Sequence, residues 1–357
     1  MKFRAFSLFL CVILIGFMLF HLVIWKAFTE DLMTGKNCAG GDLPRLGYIA
    51  GVKVCRQNED SLPRRHIEAA DFKGGTVDVI TIGDSFSNGG GGGKDRYYQD
   101  HLASQHGFTV LNIPQYEDID KITTLSILNN NGYLDKLKPR FVLLESSEKF
   151  CLHDLPDKID FDRSITDNEL NKHETVNYKT IPEEKRSRLF KVDFFSEANI
   201  KFIKNLILYN FSDNAYGSTV YKAKLSRPLF SAPDPYLLLY YHADIKGRQK
   251  FTALNITRLN NYLNILSDRL KAKGITLFFM PCVDKYNLYS EYILDNHYPK
   301  SNFFEVFREL PRRFVFIDTK DILSKELAKG EKDIFYSDDT HWSWKASKTI
   351  FEQVQFR

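Results

Sequence analysis

Two short stretches near opposite ends of the chain hold the residue types that acyl transfer uses. The first is Gly83-Asp84-Ser85, which follows the apolar, β-branched run Val77–Ile82. That run has the length and composition of a buried parallel strand. A hydroxyl residue on the turn after such a strand presents its Oγ and its backbone N–H to one open space, for attack and for oxyanion stabilisation respectively. The same three residue types also build ordinary β-turns, so the stretch gains its meaning from the second one. There His341 follows Asp338 and Asp339 within Tyr336-Ser-Asp-Asp-Thr-His-Trp-Ser343. A serine hydroxyl attacks well only when a base takes its proton, and an imidazole base needs a carboxylate to hold its tautomer.

Gly-Asp-Ser after a first strand and Asp-x-x-His before a last helix together resemble the SGNH (GDSL-like) hydrolase superfamily. The longer stretches Gly83-Asp-Ser-Phe-Ser87, Pro281-Cys-Val-Asp-Lys-Tyr286 and Asp339-Thr-His-Trp342 are similar to the SGNH-hydrolase-like domain of bacterial alginate and other exopolysaccharide O-acetyltransferase proteins. The resemblance covers residues 75–150 and 255–357. It implies Ser85 as nucleophile and His341 as general base and acid. The SGNH spacing points to Asp338 as its partner, the Asp-x-His-Trp spacing to Asp339, and both stay open. In SGNH enzymes two further strand ends supply a Gly and an Asn to the oxyanion hole. This chain has neither, reading Asn112-Ile-Pro-Gln115 and Glu145-Ser-Ser-Glu148. Asn88, Gln115, Ser146, Ser147 and Asp284 are the candidate oxyanion or substrate groups.

The elements that must position these residues are legible in outline. Gly89–Gly93 invites a phosphate-loop reading, but Lys94 is followed by Asp95 rather than Ser or Thr, so that reading fails. Five glycines also delay the next helix to about Tyr97; they let the backbone pass close to substrate or form a lid. Strands are expected at Thr109–Ile113, Phe141–Glu145, Ile275–Met280 and Phe314–Ile317. Helices are expected at Phe194–Tyr209, Phe303–Leu310 and Ile322–Ala328. A further helix carries Ile256, Leu259, Leu263, Leu266 and Leu270 on one face and stops at Lys273-Gly274. Strand–helix alternation of this kind means an α/β fold, a mostly parallel sheet flanked by helices (SGNH/flavodoxin-like). Its site lies beyond the carboxyl ends of the strands. Trp342 and Trp344 are expected to pack beneath the histidine loop.

Residues 152–250 read as an insertion of helices and loops, a possible cap, with a basic cluster at Lys185-Arg186-Arg188. Residues 5–25 are almost wholly apolar, long enough at about 1.5 Å per residue to cross a hydrocarbon core. Lys2 and Arg4 precede the span and predict an N-terminus inside. No small-x-small site follows, which favours an uncleaved anchor over a signal peptide. His21 is then expected to snorkel near the interface with Trp25. The divisions that follow are an anchor over 1–28, an extracytoplasmic lead-in over 29–75 and the α/β domain over 76–357. An oxidising compartment makes a Cys38–Cys55 bridge reasonable, and Cys151 and Cys282, each after a strand, could form a second.

The net charge of +4 with 26% charged residues is too mild to imply nucleic acid. No spacing suggests zinc or another metal, and no cofactor is expected. The expected protein is a single-pass protein of the bacterial inner membrane with its catalytic domain in the periplasm. It would be a serine O-acyltransferase acting on a polysaccharide or other glycan, its acyl group delivered by a multi-spanning membrane acyltransferase. An esterase of the same fold and a non-catalytic glycan-binding subunit are the alternatives.

Overall fold

The computed structural model describes residues 2–35, 38, 40–56, 61–116, 119–153, 155–166 and 194–357; the basic cluster at 185–188 lies outside them. Eight strands occur among these residues: β1 (Ile67–Glu68), β2 (Val79–Ile82), β3 (Val110–Asn112), β4 (Phe141–Ser147), β5 (Val220–Lys224), β6 (Leu237–Tyr241), β7 (Thr276–Cys282) and β8 (Val315–Phe316). Six form one parallel sheet in the order β1-β3-β2-β4-β7-β8. The antiparallel hairpin β5–β6 stands apart from it and interrupts what reads in sequence as helix and loop.

The helices are α1 (Lys2–Ile24), α2 (Glu30–Thr34), α3 (Asp42–Gly47), α4 (Tyr98–His106), α5 (Lys121–Asn130), α6 (Tyr133–Leu137), α7 (Glu148–Cys151), α8 (Glu197–Leu208), α9 (Ala253–Lys271), α10 (Lys285–Tyr289), α11 (Phe303–Glu309), α12 (Thr319–Lys329) and α13 (Trp344–Gln353). The α/β architecture is thus present as expected. The central strand β4 is buried at every position, as a strand covered on both faces must be. It runs two residues past its expected end at Glu145 because Ser146 and Ser147 still pair with Pro281 and Cys282 of β7. Helix α9 lays Ile256, Leu259, Leu263, Leu266 and Leu270 into the core, the face that the sequence spacing marks. Its first turn is capped by Thr252 Oγ1, which accepts from the Asn255 N–H.

Sheet order also sets where a site can form. From β2 the chain goes to β3 on one side, then crosses to β4 on the other, so a crevice opens at the carboxyl end of β2. Ser85 lies just beyond that end.

At the N-terminus, α1 continues through a π-helical turn (Trp25–Thr29) into α2. The stretch Phe3–Thr34 is long and apolar enough to cross a membrane by length and composition. His21 departs from expectation. It is buried rather than snorkelling, with Nδ1 3.0 Å from Asn199 Nδ2 on α8 and its ring against Phe17, Phe20 and Phe195. The first cysteine pair forms the Cys38–Cys55 disulfide. The second does not form: Cys151 and Cys282 are free, buried thiols, and Cys282 Sγ instead donates to Glu145 Oε1 at 3.4 Å.

Candidate active site

The strand β2 ends at Ile82, and Gly83 turns the chain. A Cβ on Gly83 would stand 2.0 Å from Ser87 Oγ and 2.1 Å from Glu145 Oε2, so only glycine fits this turn. Asp84 then anchors the elbow to the end of β4. Its Oδ2 accepts from the Ser147 N–H at 2.8 Å and from Ser147 Oγ at 2.9 Å. From below, Glu145 Oε2 accepts from the Asp84 N–H, the Ser87 N–H and Ser87 Oγ at 2.9, 3.2 and 2.7 Å. Complete burial, with the Asp84 charge beside it, pushes the Glu145 carboxyl well above its usual range. Burial opposes ionisation of Asp84 too, yet Lys121 at 3.5 Å and the Ser147 N–H hold it below that range. The two carboxyls are thus pushed in opposite directions, as neighbouring like charges in one buried place are.

Ser85 itself is exposed at the top of the turn. His341 Nε2 lies 2.8 Å from Ser85 Oγ, and His341 Nδ1 lies 2.8 Å from Asp339 Oδ1. Asp339 Oδ1 also accepts from the His341 N–H at 2.9 Å. These contacts make a continuous nucleophile–base–orienter chain. Burial raises the cost of the Asp339 charge, but the imidazole and Arg56 together keep its carboxyl below the usual range. Gly90 lies across the far side of the ring, where a Cβ would meet His341 Nε2 at 2.3 Å. Part of the glycine run thus admits backbone against the imidazole. The ring of Phe86 lies edge-on to both His341 and Trp342. Trp342 is buried under the loop, whereas Trp344 opens α13 half-buried.

Of the two neighbouring carboxylates, Asp339 faces the imidazole and Asp338 faces away. Asp338 Oδ2 accepts from the Gly41 and Val54 N–H groups at 2.9 and 2.8 Å, and Asp338 Oδ1 accepts from Arg56 at 2.8 Å. Sequence spacing missed these partners. The same guanidinium donates to Asp339 Oδ2 at 2.9 Å and to the Gly91 carbonyl at 2.7 Å, and sits 3.9 Å above the Tyr336 ring. Asp42, which begins α3, accepts from the Thr340 N–H at 2.9 Å. Burial and the neighbouring Asp339 raise its carboxyl. Asp42, Asp339 and His341 thus form one cluster, within which His341 Nδ1 faces Asp339 Oδ1.

From the other side the buried ammonium of Lys285 donates to the carbonyls of Tyr336, Ser337 and Asp339 at 2.8, 2.9 and 3.0 Å. Burial lowers its pKa to about 8. The loop is thus held from both sides, its carbonyls by an ammonium and its carboxylates by a guanidinium. The only sequence signal for these groups is that Lys285 belongs to the Pro281–Tyr286 stretch, while Arg56 and Asp42 flank the disulfide.

The other candidate residues are mostly engaged elsewhere. Ser147 spends its N–H and Oγ on Asp84, and Ser146 Oγ accepts from Lys121 at 3.1 Å. Gln115 donates to the Ile119 carbonyl at 2.8 Å. Asp284 is buried 3.3 Å from Lys149, which also pairs with Asp244 at 2.9 Å. Asn88 remains exposed on the serine turn, its N–H given to the Asp84 carbonyl at 3.1 Å. Among the described residues no acceptor meets the Ser85 N–H, which leaves it as the oxyanion donor the geometry supplies.

No curated protein matches the chain. A family model does: residues 238–355 match ALGX, the SGNH hydrolase-like domain of acetyltransferase AlgX. The match contains Lys285, Asp338, Asp339 and His341 and stops short of Ser85. In its C-terminal third, the chain is therefore similar to the SGNH hydrolase-like domain of the acetyltransferase AlgX.

Proposed function

We propose that the protein is a serine O-acyltransferase, O-acetyl by its AlgX-like domain, which modifies a polysaccharide or other glycan outside the cytoplasm while tethered by α1. The observation that carries this reading is the unbroken Ser85–His341–Asp339 chain, with both links at 2.8 Å. His341 Nε2 takes the Ser85 proton as Oγ attacks the acyl carbonyl, and the Ser85 N–H faces the oxyanion. Asp339 holds the Nδ1–H and stabilises the imidazolium, which then protonates the leaving group. A sugar hydroxyl next gives its proton to His341 and takes the acyl group from Ser85. A multi-spanning acyltransferase is the proposed donor, and water in place of the sugar would make the protein an esterase.

Incubating full-length protein with an activated acetyl ester, with and without an acidic polysaccharide, separates these outcomes. The proposal expects polysaccharide to divert acetate onto sugar hydroxyls at the expense of free acetate. Free acetate alone, unchanged by acceptor, would make it an esterase.

One observation favours a non-catalytic glycan-binding subunit: Ser146 and Ser147 are tied to Lys121 and Asp84, leaving few further oxyanion donors. One missing donor costs about 10²–10³ in rate. That reading expects polysaccharide binding unaffected by Ser85→Ala and no acetate release at all.

A further inference from the structure

Helix α8 carries apolar residues on opposite faces. One face packs inward: Phe202 stacks on Phe28 at 4.9 Å, and Asn205 Nδ2 donates to the Gly47 carbonyl at 2.9 Å. The opposite face presents Ile200, Ile203, Ile207 and, one turn on, Phe211, spaced for a single helical stripe. Ile200 and Ile207 are each 54% exposed and Phe211 is 72% exposed. Glu197, Lys201 and Lys204 flank this stripe, the first two paired at 2.8 Å, so the exposed side of α8 mixes apolar and charged groups as a helix at a membrane interface does.

Its neighbour points the same way. Phe195, just before α8, stacks on Phe17 at 5.7 Å and touches His21. Phe17 lies seven residues inside the end of α1 at Ile24, which is about 10 Å along the axis. Any bilayer that takes up α1 therefore takes up Phe195 and the first turn of α8 with it. Most polar groups between the two helices are satisfied internally, as hydrocarbon demands, and His21 Nε2 alone of them is buried without a partner among the described residues. Asn199 Nδ2 donates to the His21 carbonyl at 3.2 Å and the Phe194 carbonyl at 2.8 Å, and Asn199 Oδ1 accepts from Thr29 Oγ1.

We propose that α8 is a second membrane-embedded element: lipid acyl chains cover Phe195 and Ile200, and the stripe rises through Ile207 and Phe211 into the headgroup region. The partner is the bilayer itself. Through Asn205 and α3, whose Asp42 holds Thr340, this element would set the height of Ser85 above the lipid. The inference rests on the reading that α1 spans a bilayer.

The test uses full-length protein with Cys11→Ser, reconstituted in phosphatidylcholine–phosphatidylglycerol vesicles. Nitroxide labels are placed singly at Ile13→Cys, Ile200→Cys, Ile207→Cys and, on the exposed side of α9, Ile265→Cys. Power saturation compares oxygen with a water-soluble nickel chelate. The proposal expects the oxygen preference to fall in the order 13, 200, 207, 265. Three results would overturn it. Position 200 as open to nickel as position 265, while 13 prefers oxygen, leaves α1 in lipid and removes α8. Position 200 shielded from both reagents means a protein, such as a second copy, covers the stripe. A label at 13 that is open to nickel removes the span reading and this inference together.

Discussion

The loop at 336–341 and the segment at 40–56 meet across two adjacent carboxylates, and they differ in how they work. The C-terminal loop carries groups that face the reacting atoms: Asp339 orients His341, which reaches Ser85. The N-terminal segment carries none that touches Ser85. It closes on itself through the Cys38–Cys55 disulfide and offers two backbone N–H groups and Arg56 to Asp338. A dipeptide, Asp338-Asp339, thus divides positioning from chemistry by pointing one side chain each way. Burying two carboxylates in one loop is tolerable only because a guanidinium faces both.

That division predicts which substitutions act on rate and which on folding. Asp339→Asn should lower kcat about 10⁴-fold by releasing the imidazole tautomer, while the melting temperature falls less than on loss of Asp338, which alone also holds the Gly41 and Val54 N–H groups. Asp338→Asn should do the reverse, melting earlier with kcat largely kept. If kcat fell equally in both, the two carboxylates would share one role and the comparison would fail. Next in size is Arg56→Ala, which leaves both carboxylates buried without their cation. Breaking a buried pair in this way costs about 3–5 kcal/mol, to be read from urea unfolding. An unchanged midpoint would mean the N-terminal segment does not brace the loop.

Smaller again is Gly90→Ala. The added methyl occupies the place of His341 Nε2, and a displacement of about 1 Å costs on the order of 10²-fold in rate. Its signature is lost kcat in a protein that melts normally; normal kcat would show that the imidazole has room to move. The smallest effect is one of pH, and the two ends of the molecule should show opposite signs. Burial disfavours the His66 charge, but hydrogen bonds to Asp100 and Glu68 raise it to about 9 from an ordinary 6.5. The folded state therefore holds the extra proton between these values, and the stabilisation is complete below pH 6.5 and lost as pH rises through 9. Lys285 runs the other way. The unfolded chain keeps its proton to 10.5 while the folded chain releases it near 8, so stability rises with pH between them. Subtracting the melting curve of His66→Gln from wild type over pH 6–10 isolates the first slope. No difference between the two curves would mean that His66 is not charged in the fold.

How much of this was legible in the sequence follows the same division. Runs such as Phe141–Glu145 and the α9 stripe are set by local burial periodicity, and the structure places a strand and a helix on them within a few residues. Gly83-Asp84-Ser85 and His341 are recognisable because their chemistry demands particular residue types. Arg56, Asp42 and Lys285 were not, since a charged group meeting a distant loop leaves no spacing behind. Asp338 and Asp339 could not be told apart for a related reason. Either can reach a histidine, and the choice is made by partners at Gly41 and Val54. The hairpin β5–β6 was missed because its flanking turns, rich in Ser, Pro and Asp, resemble loop throughout.

The central claim is that Ser85 is a nucleophile activated by His341 and Asp339. Intact-mass spectrometry of full-length protein after brief exposure to a fluorophosphonate tests it most directly. The account predicts one adduct, mapped to Ser85, formed far more slowly in Asp339→Asn and at near wild-type rate in folded Asp338→Asn. An unlabelled wild-type protein, or an adduct that persists in Ser85→Ala, would contradict it.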